Sequence, residues 1–266
     1  MTLFEEKQYD EPSVFHPEAL LRQARRQRGL PHGEVPRTCV LDPDGDIVRH
    51  LRRNGRARLL ASWACYHTEL DVFTLAGREL GVVGGAVGAS FAVLVAEELA
   101  VSGCELIVSI TSAGRICAPD GNGFVLIERA VRDEGTSHHY LPPGHEAKLA
   151  PDLTVALAGA FDGLATPVVP GAAWTTDAPF RETQSALDRR TAEGIACVEM
   201  EAAALYAFAE KTGARVICLA HLTNEMGRAE IDFEKGEADG AEDALQVIER
   251  IAVRSGLAGE PRASTS

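Results

Sequence analysis

The run ELGVVGGAVGASFAVLVAEELA, Glu79 to Ala100, decides how the whole chain is read, because its periodicity changes once along its length. Glu79–Gly85 is a short β-branched run closed by glycines, the pattern of a buried strand. From Ala86 to Val101 no polar residue falls between Ser90 and Glu97, so the segment predicts a helix packed on several sides rather than lying on a surface. The strand-like ELIVSI, Glu105–Ile110, follows. Strand, buried helix and strand together imply a covered sheet. Working outward, Thr38–Leu41 (TCVL), Phe124–Val131 (FVLIERAV), Thr166–Thr176 (TPVVPGAAWTT) and Ala214–Thr223 (ARVICLAHLT) read as further strands. Helices are expected over Pro17–Gly29, His145–Phe161, Glu199–Gly213 and about Gly240–Val253. The alternation indicates an α/β class: a single domain over residues 38–256 with a central mixed β-sheet flanked by helices. Residues 1–37 form an N-terminal arm before it and 257–266 a polar C-terminal tail.

Composition narrows the function. With 45% hydrophobic residues in 266, the chain can bury a full core. Its 26 Lys and Arg against 39 Asp and Glu leave a net charge of -13, which repels nucleic-acid backbones and anionic membranes and favours a small-molecule partner. The uncharged stretch Leu80–Ala96 is too short to span a bilayer and is broken by Gly84, Gly85 and Gly88. The opening residues MTLFEEKQYDEP hold no apolar signal-peptide core, so a cytoplasmic protein is expected. Six scattered cysteines, Cys39, Cys65, Cys104, Cys117, Cys197 and Cys218, include no C-x-x-C pair and read as buried thiols; no metal or organic cofactor is expected.

Two segments carry chemistry on their own residues. In GVVGGAVGAS, Gly81–Ser90, glycines at a strand end run into a helix. They either expose N–H groups and a helix dipole to an anion or let strand and helix pack closely. In VEMEAAALYAFA, Val198–Ala209, Glu199 and Glu201 stand at the start of an otherwise apolar helix. A buried carboxylate needs strong donors, and the cis hydroxyls of a ribose supply two; the alternative is that both glutamates decorate a first helical turn.

In order along the chain, Val14-Phe15-His16, Gly45-Asp46-x-x-Arg49, Glu69-Leu70-Asp71, the Gly-rich turn with Ala96-Glu97-Glu98-Leu99, Val198–Leu205 (VEMEAAAL) and His221–Met226 (HLTNEM) resemble the nucleoside phosphorylase family of uridine phosphorylase and the hexameric purine nucleoside phosphorylases. The resemblance runs from about Val14 to about Met226. It implies an α/β fold with a central mixed sheet, cleavage of nucleoside N-glycosidic bonds, usually with inorganic phosphate as co-substrate, and active sites shared between subunits of a homodimer or hexamer.

Carried over by resemblance, Glu201 holds the ribose 2′- and 3′-hydroxyls, Met200 packs on the sugar and Glu199 matches the preceding family glutamate. His16 reaches from a neighbouring subunit toward the 5′-hydroxyl. Arg49 binds phosphate, with Gly45 letting the backbone approach it. The family's second and third phosphate arginines fall on His67 and Ser109. Gly85 and Ser112 would then help hold phosphate or position water, Ser112 being a better anion or ribose contact than Thr111. Loss of two guanidiniums leaves phosphorolysis and hydrolysis both open. Asn224 stands where adenosine-cleaving relatives carry an aspartic acid; an amide cannot protonate a leaving base but can hydrogen-bond it. Phe180 would stack on the base while Arg181 or Asp177 bonds its edge. Arg132 and Asp133 read as a structural ion pair, and His138, His139 and Tyr140 as a pocket border in which the two histidines are solvent-exposed. A non-catalytic nucleoside binder is the rival reading. A dinucleotide oxidoreductase is disfavoured by the absence of G-x-G-x-x-G.

Overall fold

The computed structural model describes residues 7–119, 123–225 and 237–254. The first six residues of the expected arm and all of the expected tail 257–266 lie outside the described residues. Ten strands share one sheet: β1 (Thr38–Asp42), β2 (Ala57–Leu59), β3 (Asp71–Leu75), β4 (Arg78–Gly84), β5 (Leu106–Arg115), β6 (Phe124–Asp133), β7 (Glu146–Lys148), β8 (Val168–Thr176), β9 (Cys197–Glu199) and β10 (Val216–Glu225). The helices are α1 (Pro17–Arg28), α2 (Asp46–Arg53), α3 (Ala89–Val101), α4 (Ser137–Tyr140), α5 (Pro151–Leu157), α6 (Gln184–Ala192), α7 (Ala202–Thr212) and α8 (Ala241–Arg254). The fold is the mixed α/β domain that the alternation implies.

One half of the sheet closes on itself. β5, β10, β6, β8 and β9 pair in a ring, so the mixed sheet has a barrel-like core; its other half runs open from β5 through β1, β4 and β3 to β2. β1, β4 and β5 are parallel, and their near-continuous Val, Leu and Ile are buried on both faces. Helix α3 packs against α7 and carries α1 on its other side, where Leu21, Ala24 and Ala64 form a small separate core.

Where expectation and structure part, backbone chemistry explains the difference. α3 begins at Ala89 rather than Ala86 because Gly85 and Gly88 sit at φ +81° and +88°, outside the helical basin. His145–Phe161, expected as one helix, is strand β7 followed by α5. Ala150 before Pro151 is extended (φ −60°, ψ 135°), and the proline opens the helix it could not continue. Among the cysteines, Cys117 is exposed and Cys104 only partly covered; the other four are buried. The expected Arg132–Asp133 ion pair does not form, because successive strand residues face opposite ways. Asp133 accepts from Trp174 Nε1 (2.8 Å) and faces Arg190, while Arg132 donates to Ser137 Oγ and the carbonyls of Leu141 and Pro142. That network also buries His138, which is therefore not an exposed loop residue.

Tyr206, fully buried on α7, ties the barrel together: its hydroxyl donates to the Ile127 carbonyl of β6 and accepts from the Cys218 N–H of β10 (3.1 Å). Tyr206→Phe leaves both backbone groups unpaired, at about 1–3 kcal/mol for a buried polar group. Urea titration should show an earlier midpoint with an unchanged slope.

Candidate active site

The site begins at a gap in the sheet. Along one edge β5 is paired to β1 only through Leu106–Ser109 and to β9 only at Gly114 and Arg115. Ile110–Ala113 therefore face neither strand on that edge. A crevice at the carboxyl end of β1, where the chain changes neighbours, is the place where α/β sheets gather ligand-binding groups. Into it the Ser112 N–H donates to Asp44 Oδ2 (2.7 Å) and the Ser112 hydroxyl to Asp44 Oδ1 (3.0 Å).

Asp44 is held there by the turn Asp42-Pro43-Asp44-Gly45 between β1 and α2. The buried Asp42 carboxylate accepts the N–H groups of Gly45 (3.1 Å) and Val48 (2.9 Å), and burial pushes its pKa up to about 7. Gly45 takes φ +74°, where a side chain would also meet Arg49 Nη1 at 3.0 Å. Across from it, a Cβ on Gly84 would come within 3.4 Å of the Gly45 Cα, so the turn and the end of β4 touch backbone to backbone.

The second half of the site is the start of α7. Its cap comes from Glu199, at the end of β9: Oε2 accepts the N–H groups of Glu201 and Ala202 (both 2.7 Å), and Oε1 accepts the Thr175 hydroxyl. Thr175 Oγ1 in turn accepts the Ala203 N–H (3.0 Å). Held this way, Glu201 is 1% exposed; Oε1 accepts the Gly88 N–H (2.7 Å) from the foot of α3, and Oε2 is buried with no hydrogen-bond partner. Burial first, and the Glu199 charge second, push the Glu201 pKa up to about 8, only partly offset by Gly88 and the nearby Thr111 side chain. Burial raises Glu199 as well, but three donors and a helix N-terminus favour its charged form, so of the two Glu199 holds the charge and Glu201 the proton.

The structure brings together Glu201, Gly88 and Thr111, and beside them Ser112 with Asp44, whose charge also bears on Glu201. Other expected residues land elsewhere. Glu199 spends its oxygens on the first turn of α7 and on Thr175. Half-buried Met200 links it to Glu201. Arg49, exposed on α2, is bonded to the Asp46 carboxylate and the Asp44 carbonyl (2.9 Å). The Gly85 N–H closes on the Asp42 carbonyl (3.0 Å). Ser109 is buried where β5 is still clamped between Leu41 and Cys218, below the gap. His67, on the loop before β3, packs edge-on against Phe91 of α3.

At the rim, half-buried Asn224 lies opposite Gly114 near the end of β10 and accepts from Thr223 Oγ1 (3.3 Å). Phe180 and Arg181 lie on the short 3-10 turn Pro179–Arg181, Phe180 being 98% exposed. The next residue, Glu182, is half-buried, and burial raises its pKa to about 7. Asp177 is tied to the Gly135 N–H (2.8 Å). His16 caps α1 at the surface, beside Val14 (101% exposed) and Phe15 (65%). Sequence reasoning missed Asp42, Asp44, Gly88 and Thr175. Three aspartates in the five residues Asp42–Asp46 at a strand end were the available signal. Among the described residues no group of three or more His, Cys, Asp or Glu is placed to hold a metal ion, and no helix is long and apolar enough to cross a membrane.

Comparison with known proteins adds that the family profile described as the phosphorylase superfamily matches residues 48–253. The chain is similar to the uridine phosphorylase of Thermococcus kodakarensis, 27% identical over 236 residues, covering 81% of this chain and 83% of the relative. It is also similar to the guanosine phosphorylase of Halorubrum lacusprofundi, 27% identical over 140 residues, 52% of this chain and 58% of that one.

The raised pKa of Glu201 has a direct consequence for stability. Between its ordinary value of 4.5 and about 8, the folded protein keeps a proton that the unfolded chain has released, so Glu201 makes stability fall as pH rises through that window. Glu201→Gln is neutral at every pH and removes that dependence. Thermal unfolding without ligand should find the variant more stable than wild type at pH 8 and equal to it at pH 4.5; a gap independent of pH would show that Glu201 titrates normally.

Proposed function

Because the chain belongs to the phosphorylase superfamily, we propose that it is an enzyme that cleaves the N-glycosidic bond of a nucleoside. The observation that carries this reading is Glu201, a buried carboxyl group fixed at both backbone and Oε1 whose Oε2 has no donor. A ribose cis-diol supplies the two missing O–H donors and favours the carboxylate form. As positive charge develops on the sugar in an oxocarbenium-like transition state, that carboxylate also stabilises it.

The remaining roles are consistent with the placement. Asn224, at the mouth of the β5–β10 seam, offers an amide to a base edge that presents a carbonyl and an N–H, as uracil and guanine do. Those are the bases of the substrates named for the two relatives. Phe180 and Arg181 cover the base from the rim, and Met200 lies under the sugar. Val14 and Phe15 stand uncovered beside His16, which supports a homo-oligomer in which this arm completes the site of a second copy, with His16 at the 5′-hydroxyl.

Release of free base from a nucleoside panel, with and without phosphate, tests the reading. Uridine, guanosine or inosine should be cleaved faster than adenosine. Glu201→Ala should lower kcat/KM by about 100-fold or more with unchanged circular dichroism, since two hydrogen bonds to a charged group are lost at about 1.5–3 kcal/mol each. A 2′-deoxy substrate, which loses one of them, should fall about tenfold or more. Tight binding of a nucleoside with no base released from any would instead mark a non-catalytic binder.

A further inference from the structure

The parallel strands β1 and β5 hold the candidate site near their carboxyl ends and a pair of thiols near their amino ends. Cys39 lies in β1 and is fully buried; Cys104 is half-covered, in the turn between α3 and β5. Strand pairing brings the two together. Thr38 stands opposite Leu106 and Cys39 opposite Ile107. The Arg37 carbonyl accepts the N–H groups of both Glu105 (2.7 Å) and Leu106 (3.0 Å), which stitches the turn carrying Cys104 to the start of β1. The side chains then converge on one stretch of backbone. Cys39 Sγ donates to the Pro36 carbonyl (3.3 Å), while Cys104 Sγ lies 3.2 Å from the Leu106 carbonyl and 3.7 Å from that of Arg37. Cys104 is also the titratable group that acts on Cys39: burial first and Cys104 second push the Cys39 thiol up.

The other four cysteines keep different company. Cys65 has Thr68, Glu98 and the His67 N–H beside it, Cys197 has Glu199, Cys218 has Tyr206 and the two glutamates, and exposed Cys117 lies against the Thr191 carbonyl (3.7 Å). A buried thiol held in its neutral form reacts poorly with oxidants, whereas a partly exposed one next to a second thiol has a partner to resolve it.

We propose that Cys39 and Cys104 form a reversible oxidation site, joined as a disulfide by a hydroperoxide. The site stands independently of the nucleoside reading. Cys104, the member that solvent reaches, attacks one peroxide oxygen as its thiolate; the O–O bond breaks, the thiol proton leaves with the departing oxygen as water, and Cys104 becomes a sulfenic acid. Cys39 then attacks that sulfur, the S–O bond breaks, and the hydroxide takes the Cys39 proton to leave as a second water. The two thiols lose two electrons and hydrogen peroxide gains them. A dithiol reverses the reaction by exchange.

The experiment treats the folded chain with hydrogen peroxide, removes the oxidant with catalase, then unfolds, alkylates and digests it without reductant. A Cys117→Ser background removes the exposed thiol. Mass spectrometry should find the Cys39 and Cys104 peptides joined with loss of two hydrogens, and dithiothreitol should return both thiols. Adding Cys104→Ser, at a half-covered position that tolerates the change, should slow thiol loss by about tenfold or more, because the thiols that remain are buried. Cys39→Ala should instead let Cys104 pass on to a sulfinic acid, a gain of two oxygens that dithiothreitol does not reverse. The wild-type peptide map reads the pairing without any variant. Peroxide treatment that leaves Cys39 free while Cys104 gains oxygen, or that joins a different pair, would overturn the proposal, as would thiol loss unchanged by Cys104→Ser.

Discussion

The carboxylate of Glu199 is the pivot of this molecule. It lies at the end of β9, where the closed half of the sheet meets the first turn of α7, and accepts two N–H groups of that turn together with the Thr175 hydroxyl. Burying a carboxylate is costly unless donors surround it, and these donors sit at the positive end of a helix. The arrangement satisfies the helix terminus and fixes the backbone of Glu201 to within a hydrogen bond. The Glu199 carboxylate thereby fixes where Glu201 stands.

Two buried carboxyl groups so close cannot both ionise cheaply, and the protein separates them by unequal hydrogen bonding. Glu199 has three donors; Glu201 has one, the Gly88 N–H, and an oxygen left over. The proposed sugar hydroxyls would fill that shortage. Gly88 joins the two halves of the site, since its N–H comes from the foot of α3 and its φ of +88° is open to glycine at little cost. Two glycine N–H groups of this turn reach Asp42 and Glu201.

The gap beside β5 obeys the same economy of donors. β5 loses its neighbour for a few residues between β1 and β9, and the freed Ser112 N–H must find a partner. Its partner is a carboxylate from the adjacent turn, Asp44.

Much of this was legible in the residues. Strand, buried helix and strand around Gly81–Ile110, the helix after Glu199 and the C-terminal helix follow from hydrophobic periodicity and from glycine and proline, which act locally. So does the importance of Glu201, a charge at the start of an apolar helix. What the linear order could not decide was partnership. The closure of β10 onto β5, the division of labour between Glu199 and Glu201, the burial of His138 by Arg132 and the seat of Asp44 on Ser112 all join residues far apart in the chain or facing opposite sides of one strand. Arg49 shows the limit most plainly: its spacing from Gly45 matched a phosphate-binding pattern, but a spacing does not say where a side chain points. In the folded chain its guanidinium turns back onto Asp46 and the Asp44 carbonyl, because those oxygens are the acceptors that α2 places within its reach.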